Sequence, residues 1–217
     1  IIIVFPMPII FAILLNELKA QGFKKVTQTI SYLPHFISTI AVVGIATTLY
    51  SSYGIVNDIR VAFNPDAERV LFLGKQSFFV PNIIILESWK GLGWGAILYI
   101  ASIAGIDQEL YSAAIVDGAG KFRQTIHITI PGIMNTVIIM LIMKIGGLLS
   151  SNFDLIYGLQ NTFIDFETIS TLVYKRGIEN GEYDMATAIS VFNGVISLIL
   201  VLGTNWLSKK YTETSLV

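Results

Sequence analysis

Apolar residues fall along this chain in long runs separated by polar stretches. A bilayer core about 30 Å thick takes about 20 apolar residues of helix to cross, because lipid offers no hydrogen bonds to an open backbone. Five runs approach that length. The first, IIIVFPMPIIFAILL, opens the chain at Ile1; the others are Val26 to Tyr50, Val80 to about Gly105, about Gly132 to Leu149, and about Met185 to Leu207. Pro34 inside the second run kinks a helix or marks its start. The pattern predicts an all-α membrane protein with about five spans in one transmembrane domain over residues 1–217. Because Ile1 already stands inside an apolar run with no basic lead, the sequence reads as truncated at its N-terminus, with at least one earlier helix upstream, and not as a signal peptide. Asn16 to Lys25 is a short connection, whereas Ser51 to Phe79 and Ser151 to Asp184 are long and polar. No internal repeat, heptad series or low-complexity tract interrupts this organisation.

Composition narrows the class. Of 217 residues, 53% are hydrophobic and 13% charged, against about 25% charged in soluble domains, which excludes a free cytosolic enzyme. Disorder needs low hydrophobicity and high net charge, and nucleic-acid binding needs a basic face; a net charge of -1 supplies neither. There is no cysteine, hence no disulfide framework or thiolate ligand, and His35 and His127 are too far apart to suggest a zinc site. Lys19, Lys24, Lys25, Lys121, Arg123, Lys209 and Lys210 fall on one side of the five-span arrangement. The positive-inside rule makes that side cytoplasmic, and with it residues 107–131 and the C-terminus. Arg60, Arg69, Lys75, Lys175 and Arg176 lie on the other side, outnumbered by acids.

Asp107 to Pro131, DQELYSAAIVDGAGKFRQTIHITIP, is longer than a turn between two spans requires. Tyr111, Ala114 and Ile115 form an apolar stripe at helical spacing, Gly118 and Gly120 break it, and Pro131 precedes the next span. A short helix, a glycine turn and a second helical piece are predicted. Gly118-Ala119-Gly120-Lys121 invites comparison with a phosphate-binding loop, but Ile115 and Phe122 stand where that motif needs Gly and Ser or Thr.

The same loop carries Ser112-Ala113-Ala114, three residues, Gly118, nine residues, then Ile128-Thr129-Ile130-Pro131. This spacing resembles the loop motif of binding-protein-dependent ABC importer permeases, written E-A-A, x3, G, x9, I-x-L-P. KKVTQTISYLPHFIS from Lys24, ESWKGLGWGAILYIASIAGID from Glu87 and NGEYDMATAISVFNGVISL from Asn180 resemble the sugar and polysaccharide branch, similar to maltose-type and alginate-type subunits. The resemblance implies a type I (MetI-like) helical bundle with a cytoplasmic coupling helix seated on an ATPase subunit. It places Glu109, Ser112, Ala113, Ala114, Asp117, Gly118, Ala119, Lys121, Phe122, Arg123 and Pro131 at that contact. Ala113 and Ala114 would permit close packing, Gly118 the turn, and Asp117, Lys121 and Arg123 polar contacts. Ser112 departs from the family Glu, so an ion pair expected there would pass to Asp117 or Glu109.

An ionisable group inside a span is a functional candidate, since inserting one costs about 2.5–3.5 kcal/mol. Glu87 and Lys90, at i and i+3, either pair with each other or face the substrate path. Lys144, near the middle of the fourth run, is read as cavity-facing, against a side chain that snorkels or pairs with another helix. Trp89 and Trp94 belong to an interfacial aromatic belt or stack on sugar rings. Asn135 and Asn193 bond sugar hydroxyls or neighbouring helices, and Gly44, Gly146 and Gly147 permit close helix contacts. Glu87, Trp89, Lys90, Lys144 and Asn193 make up the expected translocation path.

The resemblance therefore implies a multi-pass permease subunit of the bacterial cytoplasmic membrane. It would import sugars, oligosaccharides or polysaccharide fragments by alternating access, with a second permease subunit, an ATP-binding subunit dimer and an extracytoplasmic solute-binding protein as partners. No cofactor is expected in this chain; ATP and Mg would be held by the ATPase. A permease for a non-sugar solute is the alternative. An ion-gradient-driven transporter would show related halves, and a membrane enzyme clustered His, Cys or acids; neither pattern is visible.

Overall fold

The computed structural model describes residues 1–150 and 152–212, which form helices and connecting turns with no strand among them. Ser151, where the second long loop was expected to begin, and the C-terminal residues 213–217 lie outside the described residues. In chain order the helices are α1 (Pro6–Glu17), α2 (Gln21–Tyr32), α3 (Thr39–Leu49), α4 (Ile55–Phe63), α5 (Gln76–Ala104), α6 (Gln108–Val116), α7 (Lys121–Gln124), α8 (Ile130–Gly146), α9 (Phe153–Leu159), α10 (Ile169–Tyr174) and α11 (Tyr183–Thr212). A π turn over Thr125–Thr129 fuses α7 to α8, and another over Lys175–Glu179 follows α10.

Three stretches are long and apolar enough to cross a membrane: α5, the fused helix Lys121–Gly146, and Tyr183–Lys210 of α11. The expected second crossing is broken. Leu33–Phe36 form a 3-10 turn around buried Pro34, which has no amide hydrogen to continue α2, and the Ser38 hydroxyl caps α3 by accepting from Ala41 N at 3.2 Å. This bent pair makes a fourth crossing if counted as one span. The opening run yields an apolar helix of 12 residues, short of a full crossing. Five expected runs thus become three continuous crossings, one broken pair and a short helix.

The chain divides into two compact units, and two of the four divisions, at 87/88 and 196/197, fall inside α5 and α11. The first comprises 1–35, 88–146 and the chain from Ser197. Its core gathers Ala12, Ala96, Tyr99, Ile103 and Ile133. Small residues allow α1 to approach α5: Ala12 and Ala96 are fully buried, and a Cβ on Gly95 would stand 3.0 Å from Pro8 Cγ. His35 stacks flat on Trp94, ring centroids 4.3 Å apart.

The second unit comprises 36–87 and 147–196, with a core that includes Val42, Ala46, Phe79, Leu155 and Leu159. α3 packs on α9, where Gly158 admits Val43. The two long polar segments, expected as loops, each contain helix. α4 is braced by Asn57, which is fully buried. Its Nδ2 donates to the carbonyls of Ser51 (2.9 Å) and Val70 (2.7 Å), and its Oδ1 accepts from Val70 N (2.9 Å) and Arg60 Nη1 (3.2 Å). Asn57→Ala strands buried main-chain groups at about 1–3 kcal/mol. Hydrogen–deuterium exchange is expected to speed up at the Val70 amide and through 51–70, while α8 remains protected.

Tyr157 of α9 donates to Glu179 Oε1 at 2.6 Å. That hydrogen bond first, then burial and the charge of Glu179, push its hydroxyl up to about 12. Because the folded value is raised, this contact stabilises the unit in full below pH 10 and is lost as pH climbs through 12.

Candidate functional site: the folded loop between α5 and α8

Asp107 accepts from Glu109 N at 2.9 Å and caps the start of α6, an acid at the positive end of a helix. The helix ends at Gly118, whose φ of +75° lies in the left-handed region. Ala119 N returns to Ala114 O at 2.8 Å, satisfying a terminal carbonyl of α6. Gln124, buried at the end of α7, donates to Ala119 O at 2.7 Å, so the turn is pinned from inside. Tyr111 and Thr129 share a hydrogen bond of 2.9 Å that ties α6 to the π turn. The predicted helix, glycine turn and second helix are all present, and the second helix runs without a break into the α8 span.

The surface of this loop is unusual for a solvated element. Val116 is 87% exposed, Phe122 79% and Ile115 62%, with Leu110 also exposed. Glu109, Ser112, Ala113, Asp117, Lys121 and Arg123 are exposed around them, and Ala114 and Ala119 are half-buried. Apolar side chains therefore stand out of a turn braced by buried hydrogen bonds, leaving an exposed apolar patch at its tip. Two expectations shift in detail. The Ser112 hydroxyl is spent on Gln108 O at 3.1 Å within its own helix. Lys121 pairs with Glu17 of α1 at 3.3 Å, a partly exposed brace worth about 0–1 kcal/mol. Pro131 stands in the first turn of α8.

The expected translocation residues are divided between the two units, Trp89, Lys90 and Lys144 in the first and Glu87 and Asn193 in the second. Glu87 and Lys90 are half-buried on α5 and Trp89 is exposed. Glu87, Lys90 and Lys144 each engage another group. Lys144 is a correction: α8 ends at Gly146, so Lys144 lies in its last turn, not mid-span. The helical segment starts at Lys121 and stops early at Gly146-Gly147, and a cation is favourable at that end of the dipole. Asn193 lines a cavity within the second unit, together with residues of α9 and α10. Gln124 and Thr129, which hold the loop together, escaped the sequence reading, because only the chain's return on itself buries them.

Helices long and apolar enough to cross a membrane, joined by a folded loop, define an all-helical membrane-embedded protein. A family model described as "Binding-protein-dependent transport system inner membrane component" matches residues 5–211, and the chain belongs to that family. It is similar to LplB of Bacillus subtilis (strain 168), 39% identical over 215 residues, covering 98% of this chain and 67% of LplB. The polygalacturonan/rhamnogalacturonan transport system permease protein YteP of the same organism is 40% identical over 214 residues, covering 97% and 66%. The crystal structure of a bacterial alginate ABC transporter, in complex with alginate pentasaccharide-bound periplasmic protein, contains a chain with a TM-score of 0.92 and 37% identity, covering 98% of this chain and 74% of that one. The chain thus spans about two thirds of the two Bacillus subtilis relatives' length.

Proposed function

We propose that this chain is a membrane subunit of an ATP-driven importer for sugars, oligosaccharides or polysaccharide fragments in a bacterial cytoplasmic membrane. The observation that carries the reading is the braced loop, with Gly118 at its turn and Val116 and Phe122 standing out of it. Its apolar tip seats on an ATP-binding subunit, with Glu109, Ser112, Ala113, Ala114, Asp117, Ala119, Lys121 and Arg123 around the contact. Continuity of α7 with α8 then carries motion of the loop into a span. ATP and Mg are held by the ATPase dimer. A second permease subunit completes the cavity, and a solute-binding protein delivers the solute from outside. The start of the α8 crossing and the end of α11 share a side, and Lys121, Arg123, Lys209 and Lys210 make that side cytoplasmic. Carbohydrate is the solute class because the relatives named for a solute carry polygalacturonan/rhamnogalacturonan and alginate.

These 217 residues contain no cysteine, so a single substitution introduces one thiol among them. Phe122→Cys is expected to form a disulfide or short bis-maleimide crosslink with a cysteine placed on the ATPase subunit surface in the assembled complex. Ile199→Cys, exposed on α11, is expected to give none. Equal labelling from both positions sinks the docking assignment.

A further inference from the structure

The cavity within the second unit has a volume of about 380 Å³, at the lower end of the small-molecule range of about 300–1,000 Å³. Phe153 from α9, Ser170, Val173 and Tyr174 from α10, and Ser190 and Asn193 from α11 line it. Tyr174 packs against Phe153 and Tyr157, with ring centroids 5.1 and 4.9 Å away, so its plane is fixed. Asn193 Oδ1 is buried with no hydrogen-bond partner. A buried acceptor left open carries a desolvation penalty that a ligand hydroxyl relieves.

The neighbouring charges are taken up elsewhere. Lys175 pairs with Glu167 at 2.7 Å, Arg176 with Glu182 at 2.8 Å, and Glu179 accepts from Tyr157, and none of them lines the cavity. The lining therefore combines fixed aromatic and aliphatic faces with neutral hydroxyl and amide groups. A sugar ring presents the complement, apolar C–H faces and hydroxyl edges. No lining side chain carries a cation to pair with a uronate's carboxylate.

The geometry points to a binding subsite for one uncharged sugar residue in this cavity, with Asn193 accepting from a sugar hydroxyl and Ser170 and Ser190 completing the polar edge. The inference rests on the carbohydrate-import reading and adds a selectivity to it: neutral residues over uronates.

The test is saturation-transfer NMR on the membrane complex of permeases and ATPases in nanodiscs, without binding protein, using methyl α-L-rhamnopyranoside and methyl α-D-galactopyranosiduronate as probes. Saturation is expected on the rhamnoside and at least fivefold less on the uronate. Asn193→Leu and Ser190→Leu, the second at an exposed position that tolerates bulk, are each expected to cut the rhamnoside signal at least fivefold, and Asn193→Gln to restore part of it. No rhamnoside signal, equal signals from both probes, or a signal unmoved by Ser190→Leu overturns the subsite. Proteoliposome uptake separates the failures: a wild-type complex that imports neither neutral nor uronate oligosaccharides brings down the import reading, whereas import with an unmoved NMR signal brings down the cavity alone.

Discussion

Gly118→Val is expected to lower ATP-driven uptake about tenfold or more, while Gly118→Asn retains most of it. The φ of +75° at this position is open to Gly, tolerable for Asn and strongly disfavoured for a β-branched residue. Forcing an ordinary L residue there costs about 1–2 kcal/mol, and about 1.4 kcal/mol is a factor of ten in the equilibrium constant between the native turn and its alternatives. An added Cβ meets nothing within 4 Å in this chain, so crowding inside the subunit does not contribute. Val and Asn therefore separate two causes. If both abolish uptake, the obstruction is bulk against a docked partner; if Val alone does, it is the backbone of the turn. Initial uptake rates in proteoliposomes, normalised to assembled complex, make the comparison, and a wild-type rate for Gly118→Val removes the loop from the coupling path.

The loop was legible because its signals are local. The short helix, the glycine turn and the helix after it all follow from neighbours within a few residues, and so does the family motif. What the sequence hid depends on chain segments far apart. Asn57 is buried by Val70, and Gln76 bonds both main-chain groups of Asp165, donating to its carbonyl at 2.7 Å and accepting from its amide at 3.0 Å. Those pairings turn two polar stretches that read as loops into a packed unit with a cavity. Hydrophobic runs located the spans but not their breaks. Pro34 signalled an interruption, yet only the 3-10 turn and the Ser38 cap show that the run becomes two helices. Lys144 was misplaced for a related reason: apolarity continues past Gly146, whereas the helix does not.

The second large effect is expected at Gly93, within the stretch that resembles the sugar-importer branch. A Cβ there would run into the carbonyl oxygen of Ser31 and stand 2.8 Å from Tyr32 Cδ1, so α2 and α5 touch backbone to side-chain position with no space for a methyl group. A main-chain carbonyl in a helix does not move aside as a flexible side chain does, which puts Gly93→Ala in the overpacking range of about 1–3 kcal/mol or above it. Gly91, two residues back along α5, has nothing within 4 Å of an added Cβ. Gly91→Ala is expected to be neutral or to stabilise the helix by about 0.5–1 kcal/mol, since glycine carries an entropic cost that alanine lacks. In detergent, Gly93→Ala is then expected to lower the apparent melting temperature by several degrees, at about 2–4 °C per kcal/mol for a chain of this size, while Gly91→Ala holds or raises it. Separation of α2 from α5 would also part His35 from Trp94, whose rings stack at 4.3 Å, so tryptophan emission is expected to change in Gly93→Ala and not in Gly91→Ala. Matching melting curves and spectra for the two variants would show that the close approach of α2 to α5 does not hold the first unit together.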